Sequence, residues 1–290
     1  MAEGLGSVRL FGGGAAVFRE AARGSLADWC CLSGALVVLL LIRSAVPPHE
    51  QYITQADWPS YMYPRHPNTV PSWSVPVISL VISPAFFAVA YLVRRNVQEL
   101  HMMLLGCVSS VVYCGLITEI LKRMVGRPRP DFFARCFPGA DLAAIPGSGY
   151  PQCTGSVADI VEGRQSFPSG HTSWCTSGLA FITLWLMMVL SSGGLGAPSL
   201  PPTAWRFWVA MSPLSCAVLI GVTRFMDYWH HWTDVVTGFV LGLTMAWLNF
   251  RLYAGVATSP FSSRNGSSDG RRDKGRHPML MYDDIIGMDV

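Results

Sequence analysis

Three short stretches of this chain hold residue types that could do chemistry together. The first, KRMVGRPRP, runs from Lys122 to Pro130. Pro128 and Pro130 cannot continue a helix, so Arg127 and Arg129 sit on a stiff extended segment just after Lys122. Cations fixed in this way suit phosphate, because arginine offers a planar fork of donors and lysine a compact charge. The second, FPSGHTSW, runs from Phe167 to Trp174. Its Pro168-Ser169-Gly170 turn opens an apolar run, and the free N–H groups of a helix start bind anions where glycine permits close approach. His171 would stand beside that anion, able to exchange a proton with it. The third, TRFMDYWHHWTD, spans Thr223 to Asp234. With a helix starting near Tyr228, His230 and Asp234 lie four apart on one face. The carboxylate could then hold one imidazole nitrogen and leave the other free. His231, three residues from Asp234, is equally eligible on spacing, and Asp227 is a further carboxylate within reach.

Each stretch has a plainer reading on its own. A basic cluster can simply flank a membrane span, and a histidine can simply lie at the interface. Tyr228, Trp229 and Trp232 are what an interfacial aromatic belt contains. Together, however, the stretches supply cations, two histidines and a carboxylate. One phosphate site with acid–base or nucleophilic histidines accounts for all of them.

The elements that must position these residues are membrane helices. Of the 290 residues 51% are hydrophobic and only 13% charged, where a soluble domain carries about a quarter charged. A span needs roughly 20 mostly apolar residues. Six segments meet or approach this: 29–46, 73–93, 100–121, 172–190, 207–223 and 235–250. The expected architecture is therefore all-α, a six-transmembrane-helix bundle with the chemistry gathered at one end of it. The first apolar run starts behind Arg9, Arg19 and Arg23 without a cleavage pattern, so it reads as a first span and not as a cleavable leader. A net charge of +3 is too small to point to nucleic acid.

Six spans put both termini on one side. The N-terminal segment, the 94–99 turn, the 191–206 loop and the chain from Arg251 onward hold twelve of the 21 Lys and Arg residues, which favours cytoplasmic termini. The expected organisation is a cytoplasmic segment over 1–27, a membrane domain over 28–254 and a disordered, Gly/Ser-rich cytoplasmic tail over 255–290. The long loop from Lys122 to His171 is then an extracytoplasmic active-site loop that carries the first two stretches, with the third at a helix end on the same side. It contains Cys136 and Cys153, which an oxidising compartment could pair as a disulfide. No carboxylate cluster suits Mg²⁺, so neither a metal nor another cofactor is expected.

These motifs resemble the three-part signature of the type 2 phosphatidate phosphatase superfamily: K-x6-R-P, then P-S-G-H, then S-R-x5-H-x3-D. Lys122 precedes Arg129-Pro130 at the first spacing, and Pro168 to His171 match the second part fully. Thr223-Arg224, His230 and Asp234 match the third, with threonine where serine is usual. The loop text GRPRPDFFARCFPG further resembles eukaryotic lipid phosphate phosphatases. The resemblance implies that His230, five residues after Arg224, is a nucleophile forming a phosphohistidine, oriented by Asp234. It implies that His171 protonates the leaving group and later activates water. Lys122, Arg129 and Arg224 would hold the phosphoryl oxygens, assisted by Ser169 and the N–H of Gly170. It also implies a membrane-lipid substrate such as phosphatidate, lysophosphatidate or diacylglycerol pyrophosphate, handled at the plasma membrane or an endomembrane. Polyprenyl pyrophosphate is an alternative substrate, and non-catalytic phospholipid binding or transport an alternative function.

Overall fold

The computed structural model describes residues 23–139, 147–191 and 204–258. Of the expected N-terminal segment and tail, residues 1–22 and 259–290 lie outside the described residues. Those described form helices α1 (Leu26–Ala45), α2 (Ser74–Arg94), α3 (Val97–Val125), α4 (Phe132–Cys136), α5 (Val157–Gly163), α6 (Gly170–Ser191), α7 (Ala204–Met226) and α8 (Trp232–Thr258). Among them there is no β-strand, only an isolated Ile53–Gly149 bridge. Six of these helices, α1, α2, α3, α6, α7 and α8, are long and apolar enough to cross a membrane, at the six places expected. The short α4 and α5 lie in the loop between α3 and α6.

The centre of the bundle is α3, α6 and α8, which pack on one another, with α7 against α6 and α1 against α3. At the end remote from the phosphate motifs, α3 starts on an Asn96 cap that accepts the Glu99 amide at 3.1 Å. Buried Glu99 accepts from Arg94 at 2.8 Å and from the Trp185 indole at 3.0 Å, so its charge is paired. In mid-bundle, Phe181 meets Phe87 and Phe250 edge-on at 5.8 and 5.5 Å. Lipid chains are as apolar as these side chains, so close van der Waals packing has to hold the helices together. Gly238 and Gly242, one turn apart on α8, allow that closeness. A Cβ on either would lie 2.7 Å from a carbonyl, that of Ser169 just before α6 or that of Ser173 within it. This contact brings the start of α8 against the start of α6.

The end of α3 is equally specific. Gly126 takes φ +62°, and a Cβ there would fall inside the His49 carbonyl. This left-handed stop turns the chain abruptly, and Arg127 and Arg129 leave the membrane end in a fixed direction. Outside the spans, Ile53, Phe132, Phe133 and Cys136 form a second small core, beside which Cys136 and Cys153 are paired as a disulfide with Cα atoms 4.5 Å apart.

Helix α8 begins at Trp232 and not near Tyr228 as the spacing suggests. Tyr228 has φ +58°, and the amides of both Trp229 and His230 return to the Arg224 carbonyl. The chain therefore makes a left-handed turn between α7 and α8, and His230 sits in that turn.

Candidate active site

Backbone hydrogen bonds stitch the three motifs together. The Arg129 amide donates to Gly163 at 2.8 Å, that of Ser166 to Arg127 at 3.0 Å, and that of Ser169 to Asp234 at 3.0 Å. Residues from Arg127 to Asp234 are thereby held at one end of the bundle.

The two adjacent histidines have different partners. His230 is buried, and its Nδ1 lies 2.7 Å from the Ser166 carbonyl. A carbonyl can only accept, so Nδ1 carries the proton and Nε2 keeps a free lone pair. Asp234 is 3.9 Å from His230 Nδ1, beyond a hydrogen bond. Because His230 precedes α8, the expected face-sharing along one helix does not arise. The Asp234 carboxylate instead accepts from Ser166 Oγ at 2.5 Å, the His231 amide at 3.0 Å, His231 Nδ1 at 3.2 Å and Arg127 at 2.6 Å. Asp234 thus reaches His230 through Ser166, whose hydroxyl it holds and whose carbonyl orients the ring. Neither Ser166 nor this use of Arg127 is visible in the spacing of the motifs.

The remaining site residues divide by exposure to a cavity of about 560 Å³. Lys122, Arg129, Gly170, His171 and His230 line it. Arg129 donates to the backbone and side-chain oxygens of Glu162 at 2.9 and 3.1 Å and lies 4.7 Å over the Trp229 ring. Trp229, expected in an interfacial belt, is buried, whereas Trp232 is 65% exposed; the aromatic collar is only partly a collar. The Lys122 ammonium lies beside Gly170, where an added Cβ would approach it to 3.1 Å.

Ser169, Arg224 and Asp234 stand behind this lining. The Ser169 hydroxyl accepts from Thr172 Oγ1 at 2.9 Å at the start of α6. Buried Arg224 donates to Asn68 at 2.6 Å, to Asp227 at 2.8 Å and twice to Thr223 Oγ1 at 3.2 Å. The threonine that replaces the usual serine thus keeps the hydroxyl that anchors the arginine. Asp227 serves this arginine and not a histidine.

A third set of partners comes from the connection between α1 and α2, which sequence reading left without a role. Asn68 orients Arg224, Thr69 caps Asp227 with both amide and hydroxyl, and the His66 carbonyl accepts from the Trp229 indole. The Val70 carbonyl accepts from His171 Nε2 at 3.1 Å, leaving His171 Nδ1 as its second nitrogen. These pairings span 101 to 163 residues, and no local pattern announces them.

The electrostatics follow from burial among cations. Burial, together with Arg129, Lys122 and His171, holds His230 well below the ordinary imidazole range, so it is neutral at physiological pH. Burial lowers Arg129 to about 10, offset in part by Glu162, and it stays charged. Among the described residues no group of three or more His, Cys, Asp or Glu side chains is arranged to hold a metal ion. Fixed cations and a helix start surround the neutral imidazole instead, an arrangement suited to a tetrahedral oxyanion.

The cavity continues from this cluster into apolar walls. Leu36, Leu39, Leu40 and Arg43 of α1 line it at helical spacing, facing Val75, Pro76 and Leu80 of α2 and Trp174 of α6. Among the described residues α1 packs on α3 and has no packed interface with another span. Between α1 and α2 the cavity is thus bounded by two helices that do not pack on each other.

Comparison with known proteins places the chain in a family. The PAP2 superfamily profile matches residues 103–256. Lipid phosphate phosphatase 2 of Arabidopsis thaliana is 39% identical over 225 residues, covering 78% of this chain and 76% of that protein. Phospholipid phosphatase 2 of Mus musculus is 30% identical over 242 residues, covering 78% and 84%. A probable diacylglycerol pyrophosphate phosphatase of Schizosaccharomyces pombe is 37% identical over 163 residues, covering 54% and 56%. No solved structure matches. With its family profile over more than half its length and relatives 30–39% identical over most of it, this chain belongs to the PAP2 superfamily.

Proposed function

We propose that this protein is an integral-membrane phosphatase of lipid phosphate monoesters or pyrophosphates, working without a metal through a phosphohistidine. The observation that carries the reading is the cavity: His230, His171, Lys122 and Arg129 line one part of it, and the apolar faces of α1 and α2 line another. A headgroup can reach the cations while its acyl chains remain in lipid.

In this reading His230 Nε2 attacks phosphorus, and the bond from phosphorus to the lipid oxygen breaks. His171 delivers a proton to that oxygen, then takes one from the water that attacks the phosphohistidine and releases phosphate. A single histidine serves as acid and then base. Splitting the reaction in two suits a nucleophile that is neutral and oriented. Lys122, Arg129, Arg224 and the start of α6 at Ser169 and Gly170 offset the charge on the phosphoryl oxygens, and phosphoryl transfer asks for little else. The distribution of Lys and Arg supports cytoplasmic termini and a lumenal or extracellular site.

Phosphate release from phosphatidate in mixed micelles, with and without chelator, tests the reading. Wild-type protein should release phosphate equally in both. Wild-type activity in His230→Ala would overturn the mechanism, and loss of activity in chelator would overturn the metal-free claim.

A further inference from the structure

Two arginines and a tryptophan meet beside the proposed nucleophile, and two of the three have no task in the mechanism above. Buried Trp229 directly precedes His230, and two guanidinium groups lie over its indole, Arg129 at 4.7 Å from the ring centroid and Arg135 at 4.4 Å. Arg135 is buried and does not line the cavity, so it does not meet a substrate there. Asp131 ties it down, accepting from Arg135 Nε at 2.9 Å and pairing with a terminal nitrogen at 2.7 Å. The chain beside it is held as well. The Cys136 carbonyl accepts from the amides of Thr154 at 2.9 Å and Gly155 at 3.0 Å, next to the Cys136–Cys153 disulfide. Arg135 is also near enough to Arg129 to repel its charge. Gathering two buried like charges is unfavourable, and the negative face of an indole offsets part of that cost.

The indole is itself fixed in place. Its N–H donates to the His66 carbonyl at 2.9 Å, and the Trp229 amide to the Arg224 carbonyl at 3.1 Å. Against this ring Arg129 has little freedom left. Glu162 takes its Nε and one terminal nitrogen at the guanidinium edge, while the indole bounds its face. A guanidinium binds phosphate through N–H groups that lie in its own plane, so fixing the plane fixes the direction from which a phosphoryl group is held. We propose that Trp229 and Arg135 are positioning residues: Arg135 braces the indole, and the indole sets the plane of Arg129 for the phosphoryl group. Because His230 follows Trp229 directly in the chain, one residue positions both the cation and the nucleophile. The inference rests on the phosphatase reading given above.

The test compares full-length wild-type protein in detergent with W229F, W229L and the paired variant R135M/D131N. Phenylalanine keeps an aromatic face and leucine removes it; the paired change removes the brace without stranding a buried carboxylate. The readout is the Ki of inorganic phosphate during hydrolysis of a lipid phosphate, which a loss of fold stability alone leaves unchanged. Ki should rise about 10-fold or more in W229L, as loss of a desolvated cation–π contact implies. It should rise less than about 3-fold in W229F and about 3–10-fold in R135M/D131N. A wild-type Ki in W229L or in R135M/D131N would overturn the proposal. Equal impairment of W229F and W229L would overturn it too, by assigning the effect to the indole N–H. Should W229L fail to fold, R135M/D131N decides. Wild-type protein that hydrolyses no lipid phosphate would instead overturn the phosphatase reading, and the proposal with it.

Discussion

Nδ1 of His230 lies 2.7 Å from the backbone carbonyl of Ser166, closer than it is to any carboxylate. The Ser166 hydroxyl in turn donates to Asp234 at 2.5 Å. Orientation of the proposed nucleophile therefore passes from Asp234 through Ser166. Ser166→Ala should lower kcat about 10–100-fold, the equivalent of one charge-assisted hydrogen bond, with KM little changed. Steady-state kinetics on a lipid phosphate checks this; a loss confined to KM would mean that Ser166 holds substrate and not the ring.

His231 contacts the same carboxylate more closely than His230 does, at 3.2 Å, yet it does not line the cavity. Its backbone amide also bonds Asp234, and that contact survives substitution. His231→Ala should cost less than about 10-fold in kcat/KM, whereas His230→Ala should cost about 10⁴-fold or more. Parallel assays of the two variants read the difference directly, and the reverse ranking would reassign the nucleophile.

Much of this was legible in the sequence because the signals were local. Six apolar runs of span length stood out, as did fixed spacings that ended in charged residues. What stayed hidden depends on chain segments far apart. The carbonyls of Ser166 and Val70 have no sequence signature, since every residue has one. Asn68 and Thr69 sit in a polar connection that resembles any other. The spacing from His230 to Asp234 is that of one helical turn, but a left-handed Tyr228 delays α8 until Trp232 and redirects the carboxylate to Ser166 and His231.

Gly126 is the hinge on which the cationic segment turns. A left-handed backbone costs a non-glycine residue about 1–2 kcal/mol, and the new Cβ would also strike the His49 carbonyl. Gly126→Ala should therefore lower the melting temperature and weaken phosphate inhibition through displaced Arg127 and Arg129. Differential scanning fluorimetry and inhibition by inorganic phosphate would check both.

The buried, neutral His230 also fixes the sign of a pH effect. Its folded value lies well below the ordinary 6.5, while the unfolded chain titrates near the ordinary value. Between the two the unfolded state binds more protons, so stability rises with pH in that window and is level above about 6.5. Melting temperature in detergent should fall as pH drops below about 6.5, and less steeply in His230→Gln. An identical slope in the variant would contradict a neutral, buried His230.

The most direct measurement is capture of the covalent intermediate. Wild-type protein mixed briefly with lipid substrate labelled at the terminal phosphate and quenched in alkali should retain label on His230. The label should vanish in His230→Ala. Label that persists in His230→Ala, or wild-type turnover with no label at any quench time, would contradict the account.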